Sequence, residues 1–246
     1  HLIDIVEPDE VFTAGEFCRR AEAICGGIAG RGKIPLFVGG TGLYIDSFFK
    51  GLSEVPEVSD DVKRALRNEL ADKGLGFLYK RLLEADPVFA SRVHGNDRQR
   101  ILRGLEVYIS TGKPLSSYFN TGHARQSLRT LYIGLRVDRH ELRNRIDKRI
   151  DKMMGNGFIE EVVSLRERGY GPDLASMKSI GYREIHEYLD GLCSREEAVE
   201  RMKISTAQYA KRQMTWFGKN PDIHWFDNGS HEGAVELIGR WIENNK

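Results

Sequence analysis

The 246 residues carry 37 Lys and Arg against 36 Asp and Glu, a net charge of +1, with 40% hydrophobic and 30% charged residues. That balance is ordinary for a water-soluble protein, and no apolar run reaches the length of a bilayer-spanning helix. The length suits one large domain or one domain with an insertion, and any nucleic-acid surface has to come from local clustering of charge.

The first stretch, "HLIDIVEP", reads as an edge strand or loop ending before Pro8. It has no basic region and no initiator Met, so it reads as a start in mid-fold rather than a signal peptide. Thr13, with Glu16 three residues on, has capping-box spacing for a helix that Gly26, Gly27 and Gly30 weaken and end. Ile34–Val38 then reads as a buried strand, followed by the turn Gly39-Gly40-Thr41-Gly42 and a helix. Strand, glycine turn, helix is a geometry that holds phosphates on backbone N–H groups. No Gly-Lys-Ser/Thr closes the turn, so it is not a Walker A loop. The order suggests a parallel α/β sheet with its site at the strand's carboxyl end.

After the polar linker at 51–61, the pattern to Tyr118 is helical without a strand candidate, with Val62, Leu66 and Leu70 as early apolar positions. The residues divide as 1–52, the first part of an α/β core; 53–120, an all-helical insertion; and 121–246, the return of the core with C-terminal helices. Residues 128–138 alternate like a strand, the following text is helical, and "IHWFD" (223–227) is a last short strand.

Four constellations carry possible chemistry. In "NDRQRILRGLEVY", Ile101, Leu102, Leu105, Tyr108 and Ile109 fall on one helical arc and Gln99, Arg100, Arg103 and Glu106 on the other. A solvated surface face explains this. So does an RNA-facing helix, because Arg92, Arg98, Arg100 and Arg103 crowd around one acid, and guanidinium groups pair phosphates and stack on bases. In "DRHELRNRIDKRIDKM", Arg145 and Arg149 flank the stripe Leu142, Ile146, Ile150, Met153. A half-buried Arg there needs an anion: Asp147, Asp151 or a neighbouring helix, or a ligand phosphate. In "ISTAQYAKRQMTWF", Met202, Thr206, Tyr209, Gln213 and Trp216 make a line that reads as core, with Gln213 the odd member that must hydrogen-bond something. Lys211 and Arg212 lie off that line. In "SIGYRE", Gly181 breaks a helical pattern ahead of Tyr182, as a turn with an aromatic plug does. His94, His123, His140 and His186 read as surface histidines. Cys18, Cys25 and Cys193 form no C-x-x-C, which argues against a zinc or redox site and suits a reducing cytoplasm.

Taken in order, "HLIDI…P", "IPLFVGGTGLYI", "NDRQRILRGLEVYISTGKPLS", "DR…LRNRIDKRIDKM", "SIGYREI" and "YAKRQMTWF" closely resemble the tRNA dimethylallyltransferase family over essentially the whole chain. The resemblance implies a P-loop NTPase-like parallel-sheet core with an all-helical insertion domain. It implies transfer of a dimethylallyl group from dimethylallyl diphosphate to N6 of adenosine 37 in tRNAs reading codons that start with U. It also implies Mg²⁺ as cofactor, the tRNA anticodon stem-loop as partner, no membrane, a monomer and a cytoplasmic location. The family's P-loop and Asp general base are expected upstream of His1. By resemblance Thr41 touches the target nucleotide at the reaction centre, Arg149 binds the diphosphate leaving group, and Gly39 and Gly40 lie against it. Lys63, Gln99, Arg100, Ile101, Leu102, Arg103, Lys178, Gly181, Tyr182, Arg183, Lys211, Arg212, Gln213, Thr215 and Trp216 lie along the tRNA. No metal ligand is assigned. Two positions depart from the family pattern, Ala207 and Gly218, each with the loss of one phosphate contact. The alternatives are a non-catalytic tRNA-binding remnant, an isopentenyltransferase acting on free adenine nucleotides, which needs no helical insertion, and a P-loop small-molecule kinase.

Overall fold

The computed structural model describes residues 1–53, 55–119, 128–229 and 231–245, and of His231 the backbone alone. In chain order its elements are α1 (Ala14–Ala29), α2 (Gly42–Lys50), α3 (Asp60–Ala85), α4 (Pro87–Ala90), α5 (Arg98–Thr111), β1 (Tyr132–Arg136), α6 (Arg139–Gly155), α7 (Phe158–Glu167), α8 (Tyr182–Leu189), α9 (Arg195–Phe217), β2 (Ile223–Asp227) and α10 (His231–Glu243). They form two compact units, residues 46–126 and residues 1–45 with 127–246.

The first unit is helical. Asp60 and Asp61 sit in the first turn of α3, where negative charge meets the exposed N–H groups of the helix. Gly74, with φ 78°, kinks α3 halfway along, a backbone setting that glycine adopts without strain. Its core is Leu66, Leu78, Leu82, Ala90, Val93, Ile101 and Leu105. The helices approach closely because position 104 is glycine: a Cβ there would lie 2.7 Å from Cδ1 of Leu82 and 3.0 Å from the Phe89 ring. The polar centre of this unit is Asp86, which is fully buried. It caps α4 by accepting from the Phe89 N–H (3.0 Å), and it accepts from the Ser116 N–H (2.8 Å) and hydroxyl (2.6 Å). A buried carboxylate is tolerated when its lone pairs are filled in this way.

The second unit contains the sheet, which among the described residues is a single parallel pair. β1 and β2 align Tyr132 with Ile223 and Arg136 with Asp227. Gly134 lies beneath Trp225, whose ring would be 2.6 Å from a Cβ at that position. The helices between the two strands pack around Ile146, Ile150, Phe158, Val162, Ile185, Ala198 and Met202. This is a helix-rich α/β fold, and both strands fall where sequence alternation puts them.

The N-terminal part departs from its sequence reading in three places. Helix α1 is capped by the Thr13 hydroxyl, which accepts from the Glu16 N–H (3.1 Å), but the helix runs through Gly26 and Gly27 and ends at Gly30. The Glu16 carboxylate turns to Arg19 and Arg20 instead of closing the box. Residues 1–12 form a turn-containing loop, with φ 59° at Leu2 and 51° at Asp4. The run Ile34–Val38 is extended but pairs with no strand among the described residues. Only one of its faces is covered. The Phe37 ring lies edge-on to Phe17, 6.4 Å between centroids, while Leu36 and Val38 are 84% and 88% exposed. A run apolar on both faces is buried only when both faces find partners.

Candidate functional site

The glycine turn is positioned by α1, α2 and α9. Tyr44, in the first turn of α2, stacks on Phe17 at 4.9 Å and donates its hydroxyl to the Phe12 carbonyl at 3.1 Å. Burial pushes its phenol pKa up. The Thr41 carbonyl accepts from the Tyr44 (3.0 Å) and Ile45 (3.3 Å) N–H groups, so Thr41 begins the helix with its side chain exposed. None of Gly39, Gly40 and Gly42 has a positive φ, so the phosphate-cradling nest read from the sequence is not formed here. At two of the three positions glycine serves a different end. The Gln213 amide of α9 donates to the Gly40 carbonyl at 3.0 Å. A Cβ on Gly40 would lie 1.9 Å from Nε2 of Gln213, and one on Gly42 would lie 2.4 Å from Cδ1 of Trp216. Gln213, the odd member of its stripe, thus finds its partner 173 positions away.

The rest of the α9 end is open. Lys211, Arg212, Tyr209, Thr215 and Trp216 are exposed, with the Arg212 guanidinium 5.8 Å from the centre of the Tyr209 ring. Thr215 donates its hydroxyl to the Lys211 carbonyl of its own helix, at 3.0 Å. The aromatic stripe read as core is buried only at Met202; Tyr209 and Trp216 are surface residues.

The "SIGYRE" segment is a turn with an aromatic plug. Gly181 has φ 99° and lies under Phe158, and Tyr182 meets the Phe158 ring edge-on at 5.3 Å. The Tyr182 hydroxyl donates to Glu161, and burial together with that carboxylate pushes its pKa up to about 12. Lys178 and Arg183 are exposed. Glu184, which sequence reasoning did not single out, is buried and accepts from the Gly181 N–H (2.8 Å), the Ser205 hydroxyl (3.1 Å) and Arg183. Burial raises its pKa, but the Gly181 and Arg183 hydrogen bonds outweigh that and hold it below the ordinary value. Its spacing after Gly181, as the third residue of α8, is the signal that could have found it.

On α6, Arg149 is exposed rather than half-buried. The acids beside it are already engaged: Asp147 by Arg143 at 3.2 Å and Asp151 by Lys203 at 2.7 Å. Among the described residues no carboxylate pairs with Arg149, which disposes of the internal salt bridge and leaves an uncommitted guanidinium. Arg145 differs, since it pairs with Glu141.

In the helical unit, α5 starts at the Asp97 cap and presents Arg98, Gln99 and Arg100 to solvent. Arg100 makes a loose pair with Asp97 at 3.4 Å, and the half-buried Arg103 a loose pair with the half-buried Glu106 at 3.8 Å. Lys63 pairs with Asp60 at 2.9 Å on the first turn of α3. Two residues in the sequence-read RNA run face the other way. Ile101 is completely buried and Leu102 packs against the same core, which leaves Gln99, Arg100 and Arg103 on the polar side of this helix. The apolar arc is also shifted, since Tyr108 and Ile109 are exposed while Gly104 and Val107 are buried.

His94 and His140 are surface residues, and His123 lies outside the described residues. His186 is a correction: it is buried to 1% exposure, and neither ring nitrogen has a hydrogen-bond partner among the described residues. Burial lowers its pKa, the nearby Arg166 lowers it further and Asp190 opposes them. Among the described residues no three His, Cys, Asp or Glu side chains are grouped to hold a metal, and no helix is long and apolar enough to cross a membrane.

The IPP transferase family model matches residues 1–220. The chain belongs to the IPP transferase family. The tRNA dimethylallyltransferase of Geobacter sulfurreducens is 43% identical over 97% of this chain and 77% of its own length. Among solved structures, a tRNA delta(2)-isopentenylpyrophosphate transferase from Staphylococcus epidermidis matches 99% of this chain and 80% of its own, at 37% identity and TM-score 0.64. A eukaryotic dimethylallyltransferase acting on tRNA matches 99% of this chain and 65% of its own, at 28% identity and TM-score 0.79. This IPP transferase family chain thus aligns along nearly its whole length with enzymes named for prenyl transfer to tRNA.

Proposed function

We propose that this chain transfers a dimethylallyl group from dimethylallyl diphosphate to N6 of adenosine 37 in tRNAs whose anticodons read codons starting with U, and that it does so as a cytoplasmic monomer. The observation that carries the reading is the 43% identity to a tRNA dimethylallyltransferase over 97% of the chain.

The chemistry sets what side chains have to do. The exocyclic amine of adenosine is a weak nucleophile because its lone pair is delocalised into the ring. It has to be fixed near the prenyl carbon while charge builds on the departing diphosphate. Arg149 suits the stabilisation of that charge, because it is exposed and its neighbouring acids are occupied by Arg143 and Lys203. Thr41, at the exposed start of α2, suits a hydrogen bond to the target nucleotide. A loop base has to leave its stack to reach such a group, at a cost of a few kcal/mol that is smaller in a loop than in a duplex. Lys63, Gln99, Arg100, Arg103, Lys178, Arg183, Lys211 and Arg212 supply the charge and hydrogen bonds for the anticodon stem-loop, and Trp216 supplies an aromatic face. Mg²⁺ in this reading arrives on the diphosphate oxygens. The described residues offer no carboxylate cluster of their own to hold it.

Arg149→Ala tests the reading. Losing a charged hydrogen bond to the leaving group slows single-turnover transfer by about 2–4 kcal/mol in the barrier, with little change in tRNA affinity. A rate equal to the parent's at saturating dimethylallyl diphosphate removes Arg149 from the reaction.

A further inference from the structure

The Gly40 carbonyl, the Gly42 Cα and the Thr41 carbonyl are all engaged, the first two by α9 and the third by the first turn of α2. Gln213 is partly buried and makes a side-chain hydrogen bond to a residue far away in sequence. Its neighbours on the same turns of α9, Lys211, Arg212 and Trp216, are exposed. One helix end therefore grips the turn with the line that carries Gln213 and Trp216, and offers the basic Lys211 and Arg212 off that line.

We propose that Gln213 is a positioning residue: its amide sets the Gly39–Gly42 turn, and with it the Thr41 side chain, in register with the exposed basic residues Lys211 and Arg212 of α9. This rests on the reading of Thr41 as a contact of the target nucleotide. Thr41 follows Gly40 directly, so a turn released at Gly40 changes where the Thr41 hydroxyl points. A polynucleotide bound across Lys211, Arg212 and Trp216 would then meet Thr41 at a fixed offset only while Gln213 holds. The two glycines follow from the same demand. A methyl at Gly40 occupies the place of the Gln213 amide nitrogen and displaces it, and a methyl at Gly42 requires the Trp216 indole to move. The family reading gives Gln213 to the RNA. Here its donor is directed at the protein's own backbone, so its loss acts on the turn and not on RNA affinity.

The test is a set of four variants of the whole protein: Gln213→Ala, Gln213→Glu, Gly40→Ala and the double variant Gly40→Ala with Gln213→Ala. Two quantities are read, tRNA-dependent transfer and hydrogen exchange at the Tyr44 and Ile45 amides that bond to Thr41. Gln213→Glu keeps the volume but puts a carboxylate against the Gly40 carbonyl. Expected for each single variant are faster exchange at those two amides and a fall in kcat of roughly tenfold or more, with tRNA Kd within about twofold of the parent. Gly40→Ala already displaces the amide, so the double variant matches the single variants instead of summing their effects. Parent-like exchange in both Gln213 variants, additive effects in the double variant, or a loss confined to tRNA affinity would each overturn the proposal. A parent that transfers nothing to tRNA sinks the functional reading alone, because the exchange data still decide whether Gln213 sets the turn.

Discussion

The helical unit has a core closed around buried leucines and one hydrogen-bonded carboxylate; the other unit leaves an apolar run open and an imidazole without a hydrogen bond among the described residues. Leu66, Leu78, Leu82, Ile101 and Leu105 are all essentially without solvent exposure, and the one buried carboxylate among them, Asp86, is fully hydrogen-bonded. Around Ile34–Val38, in contrast, three of five side chains are exposed and apolar. The second unit also buries an imidazole that has no hydrogen-bond partner among the described residues, and an exposed helix end is tied to a glycine turn by the Gln213 amide and the Trp216 ring. A unit whose core is saturated can carry many surface charges with little loss of stability, which suits a charged ligand. A unit with unsatisfied or singly held groups has settings that small changes can shift.

The largest expected effect tests the saturated side. Leu82→Ala removes a fully buried side chain that packs against Gly104 and should cost about 2–5 kcal/mol. Exchange at the α3 and α5 amides would register it. Protection unchanged from the parent would show that this core is not the source of the unit's rigidity.

A smaller effect tests the unsatisfied side. His186 has its folded-state pKa depressed, so the unfolded chain takes up the proton first as pH falls. Its contribution to stability is present above the ordinary imidazole value of about 6.5 and is lost as pH drops through it. His186→Leu should flatten the dependence of stability on pH between about 7 and 5. Denaturant unfolding at several pH values checks it. Parallel curves for parent and variant would mean that other groups set the acid limit.

The smallest expected effect on stability comes from Arg100→Ala with Arg103→Ala, since both side chains make only long ion pairs, 3.4 and 3.8 Å. The change should stay within about 0.5 kcal/mol, while the log–log salt slope of tRNA binding falls by somewhat under one unit per arginine. An unaltered slope would make this face a solvated surface and remove the contrast between the units as a functional one.

What could be read from the sequence was what is local and periodic. Residues 223–227 alternate and form β2, and Thr13 with Glu16 marks the start of α1. The arc on α5 is shifted because an apolar count does not see glycine as a face residue, although Gly104 is buried against Leu82 and Phe89. His186 was misread for a related reason: charged neighbours in sequence point elsewhere on a helix. Gly40 and Gly42 looked like phosphate-turn glycines because their true constraints, Gln213 and Trp216, lie far away along the chain. The role of Thr41 rests on family resemblance and that of Arg149 on its place beside an apolar stripe as well; their surroundings, an engaged turn and two occupied acids, are visible only in three dimensions.

The parallel pairing of β1 with β2 also implies an order of events in folding. Arg136 and Asp227, at the ends of the two strands, are 91 positions apart. Joining them directly would close a long loop in exchange for one short ladder, an entropic penalty that grows with chain separation. Helices α6 to α9 fill that interval and share a core, so their assembly shortens the effective loop before the strands meet. The sheet is therefore expected to form after the helices that lie between its strands. In pulsed exchange during refolding, the amides of Ile133 to Leu135 should gain protection after those of Ile146, Ile150 and Met202, and the reverse order would show that the strands nucleate the unit.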